Sequence, residues 1–128
     1  MGYSAVAVAP WFDNRRKYPR VLPLVRKPVE IQLMGSDFLE VLHAQDISVG
    51  GVGIRVDHAF SGYDLSAEIQ LLIKLPSKRS FIAQGLVRHK ATKEGWEIYG
   101  VEFTRLPPEG QADLTAYVER MLELGRKT

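Results

Sequence analysis

The sequence contains no cysteine, which removes thiol nucleophiles, thiolate metal sites and disulfides and suits a reducing compartment such as the cytoplasm. No stretch approaches the roughly 18 apolar residues of a membrane-spanning helix, so insertion into a bilayer is not expected. Histidine is scarce, and His43, His58 and His89 are too scattered to suggest a metal cluster. Ser48 lies outside any G-x-S-x-G elbow, and no G-x-x-x-x-G-K-S/T loop follows a strand. The opening Met-Gly-Tyr-Ser-Ala-Val-Ala-Val-Ala-Pro has no positive charge ahead of its short apolar run, so it makes a poor secretory signal. Val6 stands where a myristoylation signal needs Ser or Thr. Nothing pairs an acid with a base or builds a metal centre, and an enzyme is not expected.

What is present describes one globular domain of 128 residues, with 45% hydrophobic and 25% charged side chains. The formal charge is only +2, but it is unevenly placed. Arg15, Arg16, Lys17, Arg20, Arg26 and Lys27 fall in a stretch with no acid, and removing those six from the 17 bases leaves 11 against 15 acids. The remainder is acidic, unlike a general nucleic-acid binder. A single-stranded nucleic-acid module on a small barrel would suit the basic stretch, but the aromatic ladder it needs is missing.

Residues 1–14 show no clear period and read as a loosely ordered arm, with Trp11 and Phe12 as its apolar anchor. In residues 15–28, Pro19, Pro23 and Pro28 exclude an ordinary helix and favour an extended or turning path. From Val29 the apolar residues alternate over short spans divided by turn formers, the period-two pattern of half-buried strands. Strands are expected over 29–34, 39–47, 51–56, 68–75, 81–90 and 97–104. Short connections favour antiparallel pairing, and closure into a barrel over about 29–106 would remove exposed edges. The tail changes period: Leu114, Tyr117, Val118, Met121, Leu122 and Gly125 share one face of a helix over about 109–125. Pro107-Pro108 precede it, and the stripe is expected to cover the barrel.

Two local patterns carry chemistry: Arg16-x-x-x-Arg20, preceded by Arg15, and Asp46-x-Ser48-x-x-Gly51 further along. Alone, the first is an ordinary solvated basic loop and the second ordinary turn chemistry, with Asp and Ser bonding local backbone. In this order, with strands between them, they resemble the PilZ family, whose hallmark is an R-x-x-x-R loop followed by D/N-x-S-x-x-G in a six-stranded barrel. The resemblance extends to Val21-Leu22-Pro23, to Asp46-Ile47-Ser48-Val49-Gly50-Gly51-Val52 and to Tyr99-Gly100-Val101-Glu102-Phe103.

The resemblance implies an all-β domain over 15–128: a six-stranded antiparallel barrel with one C-terminal helix. It also implies binding of cyclic di-GMP and relay of that signal to a protein partner controlling motility, exopolysaccharide or biofilm behaviour. Arg16 and Arg20 would grip phosphate or guanine O6 and N7, which a planar guanidinium fork suits. Asp46 would accept from guanine N1–H and N2–H2, and Ser48 would add a hydroxyl contact. Gly50 and Gly51 would admit close approach at the turn. Arg15 next to the motif implies two intercalated ligands per chain. Arg88, in Gly85-Leu86-Val87-Arg88, is the nearest counterpart of an aromatic that some members stack on guanine, and its plane can also stack on a base. Trp96 reads instead as a packing residue near a turn. Members lacking the arginines act as ligand-independent protein adaptors, which is the alternative function.

Overall fold

In a computed structural model, residues 18–34, 41–56, 65–93 and 95–126 are described. The expected alternation becomes six strands: β1 (Glu30–Leu33), β2 (Val41–Ile47), β3 (Gly51–Val56), β4 (Glu68–Lys74), β5 (Phe81–Lys93) and β6 (Trp96–Arg105). Ile31 and Leu33 of β1, Leu42, Ala44 and Ile47 of β2, and Ile69, Leu71 and Ile73 of β4 point inward, with more exposed neighbours between them. The strands close in the order β1-β2-β3-β6-β5-β4, every pair antiparallel. Closure comes from two pairings distant in sequence, β1 with β4 and β3 with β6. A closed barrel leaves no strand edge unpaired.

The β5–β6 hairpin is longer at its turn than the sequence pattern suggested. Lys93 pairs with Trp96, leaving a two-residue connection in which Gly95 takes φ of +90°. A glycine that accepts this conformation lets the ladder run to a tight turn.

Helix α1 (Pro108–Arg126) follows β6. Proline at its first position loses no helical hydrogen bond, and Glu109 sits favourably at the positive end of the helix dipole. Leu114 and Val118 are buried, while Tyr117, Met121 and Leu122 pack at the margin of the same core. The apolar stripe therefore covers the barrel, as its spacing requires. Among the described residues, no helix is long and apolar enough to cross a membrane.

Because Leu114 is fully buried where helix and barrel meet, Leu114→Ala is expected to cost about 2–5 kcal/mol of stability. Chemical denaturation monitored by circular dichroism measures it, and a loss below about 1 kcal/mol would show that the helix is not docked through this residue.

Candidate functional site

The arginine pattern ends at Arg20, one residue before a bridge to the barrel. Val21 N–H donates to the Ile47 carbonyl at 2.9 Å, and Ile47 N–H donates back to Val21 at 3.0 Å. This reciprocal pair lays residues 20 and 21 along the end of β2. Arg20, one residue before the bridge, then reaches Asp46, one residue before Ile47, at 3.4 Å between Nη1 and Oδ1. Tyr18 lies against the following turn, its ring so close to Gly50 that a Cβ there would meet Cδ2 at 2.7 Å. Arg15 and Arg16 lie outside the described residues.

The turn itself is built around Ser48, which is 2% exposed. Its Oγ accepts from the Gly50 and Gly51 N–H groups at 3.0 and 3.1 Å, while Ser48 N–H donates to the Gly51 carbonyl at 2.8 Å. The Gly50 carbonyl accepts from Phe103 N–H at 2.9 Å, tying the turn to β6. In this arrangement the buried hydroxyl satisfies backbone donors, so Ser48 shapes the turn, the local role its motif also allows.

Asp46 faces outward because the β2–β3 register shifts between Ala44 and Asp46. Such a bulge inserts one residue and re-aims the next side chain. The Asp46 carboxylate lies over Gly53, where a Cβ would meet Oδ1 at 2.9 Å, and Gly53 supplies it a backbone hydrogen bond. The row continues in register from Asp46 to Gly53 on β3, Gly100 on β6 and His89 on β5. Two glycines thus lie side by side, leaving a floor without side chains beside the carboxylate. At about 4.8 Å per strand, this row runs roughly 14 Å across the barrel wall.

Burial raises the Asp46 pKa above its ordinary 3.8, against the opposing effects of Arg20 and the Gly53 N–H. The geometry agrees: the Arg20 contact at 3.4 Å is long beside the 2.7–2.9 Å of a strong charge-assisted hydrogen bond. The carboxylate is held by cationic and backbone partners yet remains incompletely compensated.

Arg88 occupies a second bulge, between Val87 and His89, and its Nε donates to Glu102 Oε1 at 2.7 Å. Glu102 is in register with Gly51, so this ion pair borders the turn from the β5 and β6 side. Trp96 stands beside the hairpin turn with the Arg55 guanidinium 4.0 Å from its ring centroid, a packing role in keeping with its position. Asp46, Ser48, Gly50, Gly51 and Arg20 are therefore brought together, with Arg88 at the margin. Sequence reading missed Tyr18, Gly53 and Glu102. Tyr18 lay within the arginine pattern itself, and Gly53 sat two residues beyond the motif, on the outward side of an alternating strand. Among the described residues, no group of acids and histidines could hold a metal ion.

The sequence matches the PilZ domain family over residues 14–120. No curated protein matches it. Among solved structures, it resembles the MrkH complex with c-di-GMP from K. pneumonia at 16% identity and a TM-score of 0.74, covering 89% of this chain and 56% of that one. It resembles the Bacillus subtilis inhibitor of motility MotI/DgrA at 21% identity and a TM-score of 0.69, covering 85% of this chain and 52% of that one. The chain therefore spans about half the length of these two proteins. The PilZ domain of YcgR from Escherichia coli, solved with c-di-GMP, matches at 14% identity and a TM-score of 0.69, covering 88% of this chain and 95% of that one. At these identities the likeness is one of fold.

A raised Asp46 pKa means that the folded chain holds this proton more tightly than the unfolded chain does. The contribution to stability is complete below 3.8 and is lost as pH rises through the higher folded-state midpoint. Asp46→Asn should accordingly be at least as stable as the parent at neutral pH, with the difference closing in acid, as measured by denaturation across pH. Gly53→Ala should remain folded but displace the carboxylate from the Gly53 N–H and raise its midpoint further. Carbon-detected NMR titration of Asp46 reads this, and an unchanged midpoint would remove Gly53 from the site.

Proposed function

The chain belongs to the PilZ domain family, and on that premise we propose that it is a non-catalytic receptor for cyclic di-GMP. The carrying observation is the Arg20–Asp46 contact beside the Gly53–Gly100 floor. It sets a guanidinium and an undercompensated carboxylate next to two side-by-side glycines, both buried and the first of them lying under the carboxylate. Cyclic di-GMP offers two phosphates and two guanines. An ionised Asp46 accepts from the guanine N1–H and N2–H2 edge, while Arg20 takes a phosphate or the O6/N7 edge. The neighbouring glycines allow a planar base to approach the backbone. The c-di-GMP complexes of MrkH and of the YcgR PilZ domain support this ligand class.

Arg15 and Arg16 complete the basic segment in this reading, and Arg15 directs the binding of two intercalated ligands per chain. Ser48, Gly50 and Gly51 act by fixing the turn against which ligand rests. Arg88 stacks on a base after leaving Glu102, whose partly exposed ion pair is inexpensive to break. Ordering of the arginine segment by the ligand's charge changes a surface that a protein partner reads, a local electrostatic event with a wider output. Control of motility, exopolysaccharide or biofilm behaviour would lie downstream. A ligand-independent adaptor is the alternative, favoured if the purified chain does not bind.

Isothermal titration tests the assignment. Removing one partner of a desolvated charge contact costs about 2–5 kcal/mol, so Arg20→Ala and Asp46→Ala should each weaken binding roughly 30-fold or more. The parent should take two ligands and Arg15→Leu one. Unchanged affinity in both alanine variants would refute the site, and a parent stoichiometry of one would refute the paired-ligand assignment.

A further inference from the structure

Beyond Arg20 the chain passes beside the last turns of α1, and the two segments enclose an apolar groove of about 570 Å³. Its walls are Leu22 and Leu24 on one side and Met121, Leu122 and Leu124 on the other, with Arg20 at one end. Leu22 is 70% exposed, Leu24 48% and Leu124 40%. One wall is fixed to the barrel through the Val21–Ile47 bridge and the other through the buried Leu114 and Val118 of the helix. The groove is therefore a formed feature with adjacent large apolar side chains facing water. An apolar side chain seated between these walls would leave water for apolar contacts on both sides.

We infer that the occupant is the chain's own N-terminal segment, with Trp11 and Phe12 inserted between Leu22 and Leu24 on one wall and Met121 and Leu124 on the other. The first described residue, Tyr18, is two residues from Arg20, which itself lines the groove. Phe12 lies eight residues before Arg20, a reach of up to about 27 Å when extended. Trp11 and Phe12 are adjacent aromatics upstream of Tyr18, and such side chains each bury roughly 150–250 Å² when docked. A segment tethered this closely has a local concentration in the millimolar range, above that of a second copy of the chain at ordinary protein concentrations. Docking places Arg15 and Arg16 between two anchors: the aromatic pair in the groove and Tyr18 against Gly50. That consequence for ligand capture rests on the receptor reading, while the docking itself does not.

The test needs no ligand. The chain has two tryptophans, Trp11 and Trp96, so Trp96→Phe leaves Trp11 as the sole reporter. In that background its emission should lie to the blue of free tryptophan and be shielded from acrylamide. Leu24→Asp and Leu124→Glu, on opposite walls and at exposed positions, should each shift the emission to the red and raise quenching, with circular dichroism unchanged. Water-like emission before either substitution would overturn the inference, as would a blue-shifted signal that neither substitution moves. If shielding disappears on dilution together with a dimer seen by light scattering, a second copy fills the groove and the inference also fails. A Phe12→Ala variant gives an independent reading, because loss of the neighbouring ring should also move the Trp11 signal toward that of water.

Discussion

The candidate site depends on two backbone hydrogen bonds between Val21 and Ile47. They fasten an otherwise irregular, proline-containing segment to the end of β2 and determine which side chains meet. Once Val21 is paired with Ile47, Arg20 falls beside Asp46, while Tyr18 extends to the turn that follows β2. No long-range electrostatic attraction is needed to bring the basic segment here. The 3.4 Å ion pair is loose, and exposed or partly exposed pairs contribute little alone. The backbone supplies position and the charges supply chemistry.

The barrel's period-two rule would leave this chemistry badly aimed without the irregularities in two strands. Side chains alternate between core and solvent, and shifting a strand by one residue exchanges the faces. The shift before Asp46 lets Ala44 and Ile47 both remain buried while the intervening carboxylate turns outward. The bulge at Arg88 likewise keeps Val87 in the core and directs the guanidinium to Glu102. Between these two points, Gly53 and Gly100 keep the wall low. A regular ladder after Ala44 would turn Asp46 into the core and Ile47 out of it, so the shift serves the core and the outward row together.

Much of the fold was legible because burial imposes a period. Ile31 and Leu33, or Ile69, Leu71 and Ile73, announce their strands by alternation, and Leu114 and Val118 announce a helix by theirs. The turn residues at Asp46, Ser48 and Gly51 were legible as a pattern, but their separate duties were not. That Ser48 is consumed by the Gly50 and Gly51 N–H groups depends on a hydroxyl orientation that spacing does not encode. Gly53 became meaningful only once the bulge laid a carboxylate across it, and Glu102 only once β5 met β6. These are contacts between residues distant in sequence, where the local pattern has no information about the partner. Arg15 and Arg16 were legible by motif and lie outside the described residues.

The uneven charge has a more selective meaning when Asp46 is included. A basic segment on its own would attract any phosphate-bearing polymer, with affinity falling as salt rises. Here the second arginine of the R-x-x-x-R pattern, Arg20, abuts a carboxylate that burial makes costly to ionise and that Arg20 only partly relieves. A plain anion could satisfy the arginine but would deepen the deficit at Asp46 by withdrawing its partner. A ligand that brings an anion and a donor edge together relieves both groups at once, with the glycine floor admitting its flat face. The proposed discrimination therefore arises from the pair: Arg20 rewards negative charge, and Asp46 penalises negative charge that arrives without hydrogen-bond donors.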